Sequence, residues 1–389
     1  MGRANALATW SGKDRPGAGQ KYPARYEIAG QDDRQTRLPE LDIARGAAVL
    51  LVTLLHASLA FPDTPVFHAI NTLAGGVRMP LLLFVTGSLF VTTSAIDKRL
   101  IQFGWIFAVW TLIAAIAQFV GNGEGHLSTH YLREFVQPTS IMWFVWASGL
   151  MGLSLIVLRR THPAIVLVLA GVCSMSNEAG LLGIEAYSHE HIIETGFFFY
   201  LGAYCGPAIL KFVRTDSRRI FILGPPLMLA MRGIDYWTFH SFGWQVIGIG
   251  ERVAAIVFAL AVARFLAAKA SAVAAPLVWV GRNTMPIYVA HSLFIVPFAP
   301  MVVGMLPEAS IVLLTGLIIV ASLALHRAAL SARWTWLYAA PRWLVEAPEA
   351  KGEPEYAPSE PPLSSRSAHK RNLTGFKLLA SRMVRQSKS

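Results

Sequence analysis

Apolar residues along this chain come in long runs rather than in stripes. The runs cover roughly 41–61, 77–96, 102–120, 141–158, 163–178, 193–212, 219–236, 244–266, 277–303 and 309–328. Runs of about 17–25 apolar residues have the length of a helix that crosses a bilayer. The pattern predicts an all-α, polytopic membrane protein of about ten transmembrane helices. The fifth and seventh runs carry the weakest signal. The fifth is short and ends in Ser174, Ser176 and Asn177, and the seventh holds Pro225-Pro226 and ends in Arg232 and Asp235.

Charge orients these spans. With the N-terminus in the cytoplasm, the cytoplasmic connections hold Lys98-Arg99, Arg159-Arg160, Lys211 with Arg214, Arg218 and Arg219, then Arg264 and Lys269, then Arg327 onward. The opposite loops, 62–76, 121–140, 179–192, 237–243 and 304–308, hold only Arg133. That asymmetry is what the positive-inside rule requires, and it sets both termini in the cytoplasm. Three regions follow: a polar tail over 1–40, a transmembrane domain over 41–330, and a basic, largely disordered tail over 331–389. Only 15% of residues are charged and 54% are hydrophobic. The net charge of +11 lies in tails and alternate loops, so it speaks for membrane orientation and against a nucleic-acid partner.

The first run contains a costly feature. Arg45 and His56 lie eleven positions apart, about three helical turns plus 20°, so they share a face and stand roughly 16 Å apart along the axis. Singly, Arg45 reads as a snorkelling interfacial residue and His56 as a neutral core histidine. Sharing one face, they read as a site, because ionisable groups at membrane depth are expensive unless paired or wet. Arg78 starts the second span near the depth of His56. A cation there disfavours the imidazolium and keeps the ring neutral, as a general base requires. Trp143 opens the fourth span at a similar depth. Glu251 and Arg252 lie about two turns inside the eighth, facing apart as adjacent residues do. His291 falls in the outer half of the ninth. His56, Arg78, Glu251 and His291 are thus placed in one layer.

Other polar clusters read more plainly. Glu185, His189, Glu190, His191 and Glu194 have no diagnostic ligand spacing and suggest a solvated outer loop, as do His126 and His130. No metal site is expected. Cys173 and Cys205 sit in apolar runs, as small buried hydrophobes do. Trp334, Trp336, Tyr338 and Trp343 suggest an interfacial aromatic belt. Residues 375–385 alternate apolar and basic residues at helical spacing, as a segment lying on an anionic leaflet would.

Several of these stretches together resemble the acyltransferase family 3 membrane proteins, which O-acylate envelope glycans. Leu41-Asp42-Ile43-Ala44-Arg45-Gly46 with His56 resembles that family's Arg-x10-His pattern. Val77-Arg78-Met79-Pro80-Leu81 with Thr86-Gly87 is similar to its second-span motif. Trp143-Phe144, Phe197-Phe198-Phe199-Tyr200-Leu201-Gly202, and Gly281-Arg282-Asn283-Thr284 with Ile287-Tyr288 and His291 are similar to later segments. The chain also resembles the branch that succinylates osmoregulated periplasmic glucans, without being separable from acetylating branches.

The resemblance implies a single-domain enzyme of the cell (inner) membrane. It would carry an acyl group, acetyl or succinyl, from cytoplasmic acyl-CoA to a hydroxyl of an extracytoplasmic glycan, with no bound cofactor. Arg45, with Lys98, Arg99 or Arg282 and with Asp42 nearby, would hold the donor phosphates. His56 would act as base or as acyl carrier, and Arg78 would position it or stabilise the oxyanion. The competing reading is a transporter or flippase that uses the same buried charges as a relay. It expects inverted repeats between the halves, and the motifs at Arg45, Arg78 and His291 are not echoed. A membrane scaffold for polymer synthesis would not need the Arg45–His56 face.

Overall fold

A computed structural model describes residues 38–91, 96–122, 127–138, 141–238 and 244–345. The tail readings over 1–37 and 346–389, including the 375–385 segment, lie outside the described residues, as does His126. Among the described residues the protein is helical throughout and contains no strand.

The helices are α1 (Pro39–Ser58), α2 (Pro65–Val91), α3 (Ile96–Asn122), α4 (Leu127–Val136), α5 (Trp143–Val157), α6 (Pro163–Glu178), α7 (Tyr187–Thr215), α8 (Ser217–Thr238), α9 (Trp244–Lys269), α10 (Ser271–Arg282), α11 (Thr284–Val302), α12 (Pro307–Ser331) and α13 (Arg342–Val345). Local chemistry sets several starts. Pro39, Pro163 and Pro307 occupy first-turn positions that need no amide donor, and Glu40, Asp42 and Glu308 complement the helix dipole. His162 caps α6 by accepting from the Ala164 amide.

Seven helices, α1, α2, α3, α7, α9, α11 and α12, are long and apolar enough to cross a membrane. Each of the other three apolar runs is also a helix. However, α5 has 15 residues and α6 has 16, and α8 carries too many charges and two prolines to qualify. The expected second span starts twelve residues earlier than the apolar run does. The 65–76 stretch, with His68, Asn71 and Thr72 among apolar residues, continues the helix, so Pro80 falls inside α2 rather than in a first turn. The 277–303 run is split at Asn283. Pro286 cannot donate to the Arg282 carbonyl, and Thr284 and Asn283 bond the Gly281 and Trp279 carbonyls instead. The loop expected over 121–140 contains the amphipathic α4, which packs Phe135 on Phe107.

Two glycine-lined crossings bring helices to backbone contact. A Cβ at Gly46 would strike the Leu277 carbonyl, and one at Gly281 would strike the Asp42 carbonyl, locking α1 to α10. Gly87 and Gly202 do the same between α2 and α7, against the Phe199 and Phe84 carbonyls. Close approach of this kind replaces the hydrophobic driving force that helices lack in lipid. Several charges inside the bundle are paired between helices: Glu40 with Arg214, Asp42 with Arg282, Glu251 with Arg232, and Glu178 and Glu194 with Arg252.

The segment after α12 returns to α3. Gln102 donates to the Tyr338 carbonyl and accepts from the Ala340 amide, while Trp105 donates to the Trp336 carbonyl. Tyr338 is therefore buried rather than part of an aromatic belt, whereas Trp334, Trp336 and Trp343 are exposed. Both cysteines are free, and Cys173 lies on the exposed face of α6 rather than in the core.

Candidate active site

His56 is in the last turn of α1 and faces a cavity of about 1030 Å³. The cavity gathers residues from α1, α2, α3, α5, α7, α9 and α11. His291 lies behind His56, fully buried, with ring centroids 4.9 Å apart. Its Nδ1 is 2.7 Å from the Tyr288 carbonyl, which makes Nδ1 the protonated nitrogen and Nε2 an acceptor. His56 Nδ1 is 2.9 Å from the Val52 carbonyl and 3.4 Å from His291 Nε2. A proton on His56 Nδ1 satisfies both acceptors. The lone pair of His56 is then left on Nε2, the tautomer a general base needs.

Arg78 lines the same cavity, on the stretch of α2 that also supplies Gly75, Gly76 and Pro80. It makes no ion pair among the described residues. Its Nη1 reaches Asn71 Oδ1 at 3.5 Å, and Asn71 donates to Ser58 Oγ, which donates to the Leu55 carbonyl. This chain ties the Arg78 guanidinium to the turn of α1 that carries His56. Pro80 has no amide hydrogen, so the Gly76 carbonyl loses its helical donor beside the cavity.

The remaining expected residues divide. Trp143 lines the cavity and meets His191 edge-on at 5.2 Å. Glu251 does not line it. Its carboxylate is held by Arg232 at 3.0 Å, and Arg232 also donates to the Thr72 carbonyl. Helical rotation turns the adjacent Arg252 inward instead, against Glu178 and, at 3.3 Å, Glu194. The expectation that Glu251 joins the histidine layer is therefore corrected in favour of its neighbour.

Four wall residues were not expected as site residues: Arg252, Tyr187, His191 and Glu194. The last three belong to the first turns of α7, not to a solvated loop. Their spacing at i, i+4 and i+7 is a helical face, but the polar composition hides it. Tyr187 and His191 stack with centroids 4.2 Å apart. Among the described residues no group of three or more His, Cys, Asp or Glu side chains is placed to hold a metal.

The other end of α1 holds a second cluster. Arg45 has Asp42 and Arg99 as charged neighbours. Asp42 bonds Arg282 at 3.2 Å, and Arg99 donates to the Leu89 carbonyl. Arg282 also lines a shallow cavity of about 380 Å³ with Ile43 and Trp279. Lys98, one residue from Arg99, is exposed. Between the clusters Ala48, Val49 and Val52 are buried, and the large cavity ends at Val52 on α1.

An all-α bundle that sets a histidine pair, and an arginine without a carboxylate partner, at one internal cavity defines a polytopic membrane protein with candidate acid–base groups in its interior. Residues 38–327 match the Acyl_transf_3 family model, described as an acyltransferase domain. The match covers most of the chain, which belongs to acyltransferase family 3 and is a membrane acyltransferase. No curated protein and no solved structure matches it.

Proposed function

We propose that the protein transfers an acyl group, acetyl or succinyl, from cytoplasmic acyl-CoA to a hydroxyl of an extracytoplasmic glycan. The observation that carries this reading is the His56–His291 arrangement, with its free Nε2 facing a cavity large enough for part of a sugar. The acceptor hydroxyl gives its proton to His56 Nε2 while its oxygen attacks the thioester carbonyl carbon. Arg78 stabilises the oxygen of the tetrahedral intermediate. The carbon–sulfur bond then breaks, and His56 returns the proton to the leaving thiolate. His291 accepts from His56 Nδ1–H throughout and steadies the imidazolium that forms between the two steps.

Arg45, Arg99, Lys98 and Arg282 suit the phosphates of the donor at the other end of α1. The alternating loop charges favour both termini in the cytoplasm of an inner-membrane protein, with the cavity toward the outside. On that reading the reacting acyl group travels about 16 Å from the Arg45 cluster to His56. The test compares the envelope glycans of cells with wild-type protein and with His56→Ala, weighed by mass spectrometry. The expected result is loss of an ester mass in the variant, which also names the acyl group. Full ester content with the variant in the membrane would sink the reading.

A further inference from the structure

Three arginines gather at the His56 end of the bundle, and their partners differ. Arg252 is paired with Glu178 and Glu194, and Arg232 with Glu251. Arg78 faces an amide instead. Its Nη1 donates to Asn71 Oδ1 at 3.5 Å, and it makes no ion pair among the described residues.

Asn71 and Arg78 lie on one face of α2, seven residues and about 10.5 Å of rise apart, with Gly75 between them. Helical side chains tilt toward the N-terminus, which for Arg78 is toward Asn71. A Cβ at Gly75 would stand 4.0 Å from Arg78 Nη2, so the guanidinium lies back over a position that has no side chain. Asn71 is itself fixed from the other side. Its Nδ2 donates to Ser58 Oγ at 2.8 Å, and Ser58 donates to the Leu55 carbonyl at 2.7 Å. Arginine only donates, so the atom that Asn71 turns toward Arg78 is oxygen, which leaves nitrogen for Ser58. Leu55 and Ser58 flank His56 on the last turn of α1. Arg78 is a charged neighbour of His56, and both line the cavity, whereas Asn71 and Ser58 do not.

From this we infer that Asn71 is a positioning residue for the transfer: it holds the Arg78 guanidinium beside His56 without spending its charge. The inference rests on the acyl-transfer reading above, in which Arg78 meets the oxyanion. A carboxylate at position 71 would bind the guanidinium as a charge-assisted pair and compete with that oxyanion. An apolar residue there would leave a long side chain free among its rotamers. The amide offers one acceptor to Arg78, one donor to Ser58 and no net charge. Charge held ready in this way is what makes an oxyanion site effective.

The test supplies membranes carrying the full chain with acetyl- or succinyl-CoA. Envelope glycan from cells lacking the protein is the acceptor. Esters are counted by mass, per membrane-inserted molecule, across donor concentrations. Asn71→Ala is expected to lower kcat by about ten- to hundredfold, as misplacing a catalytic group does, with KM for the donor little changed. Asn71→Asp keeps the shape and grips Arg78 harder, so a merely structural tether would survive it. On this inference kcat falls there too, by about tenfold or more. On an Arg78→Ala background, Asn71→Ala should cost little further, because Asn71 acts through Arg78. Wild-type kcat in Asn71→Asp overturns the inference, and so does a full further loss on the Arg78→Ala background. If Asn71→Ala does not accumulate, Ser58→Ala, which removes the acceptor of the Asn71 amide, takes its place. Unchanged kcat there overturns the inference as well. No ester from either donor with wild-type protein would sink the acyl-transfer reading too, whereas esters at wild-type rates in the variants sink this inference alone.

Discussion

His291 Nε2 stands 3.4 Å from His56 Nδ1, across the contact between α11 and α1. With His291 Nδ1 committed to the Tyr288 carbonyl, the proton between the rings belongs to His56. One histidine thereby selects the tautomer of the other.

His56→Ala is expected to lower acyl transfer by about 10²–10⁴-fold, the usual share of a general base. His291→Ala should cost less, because Val52 still holds His56 Nδ1. The double variant should be no slower than His56→Ala alone, since residues that act as a unit are not additive. Rates per membrane-inserted molecule, read as ester formed, test this; a double variant much slower than His56→Ala would show independent roles.

Arg45→Ala should act on the donor rather than on the chemistry. The expected effect is a rise in KM for acyl-CoA of about ten- to hundredfold, the loss of one charged contact, with kcat changed far less. Rates measured across donor concentrations separate the two. A fall in kcat at unchanged KM would detach Arg45 from donor binding.

Glu251 and Arg252 are neighbours with opposite expected behaviour. Glu251→Gln weakens the pairing with Arg232 outside the cavity, so it should reduce the amount of folded protein more than turnover per folded molecule. Arg252→Ala strips a cavity wall and removes the guanidinium that pairs with Glu178 and Glu194, so it should depress turnover as well. Paired measurements of protein level and rate decide between them.

Gly281→Ala puts a methyl group into the Asp42 carbonyl. A cost of about 1–3 kcal/mol is expected from overpacking, seen as a lower midpoint of thermal unfolding in detergent. Gly316→Ala meets open space and is the control. Equal stability of the two variants would remove the packing explanation.

Much of the candidate site was legible because it repeats at helical spacing within one apolar run. Arg45 and His56 declare themselves by being charged or titratable where the solvent is lipid. The glycines of Thr86-Gly87, Gly202 and Gly281 are equally visible in sequence. Contact geometry gives them their meaning: each sits where a neighbouring backbone leaves no room for a Cβ. Tyr187, His191 and Glu194 were hidden because a polar helix end has the composition of a loop. Helical rotation separates Glu251 from Arg252, and nothing in their local sequence says which of the two turns inward.

The sequence by itself determined the material of this protein: an all-α membrane chain, the uneven sharing of basic residues between alternate loops, and the Arg45–His56 face. These follow from transfer free energies and helical periodicity, which act residue by residue. Tertiary structure decided what each group meets. It put His291 behind His56, left Arg78 without a carboxylate, and gave Glu251 to Arg232. It also brought residues 335–340 back to Gln102 of α3. Those outcomes depend on distances between segments up to 238 residues apart, which no local preference encodes and only packing of the whole bundle fixes.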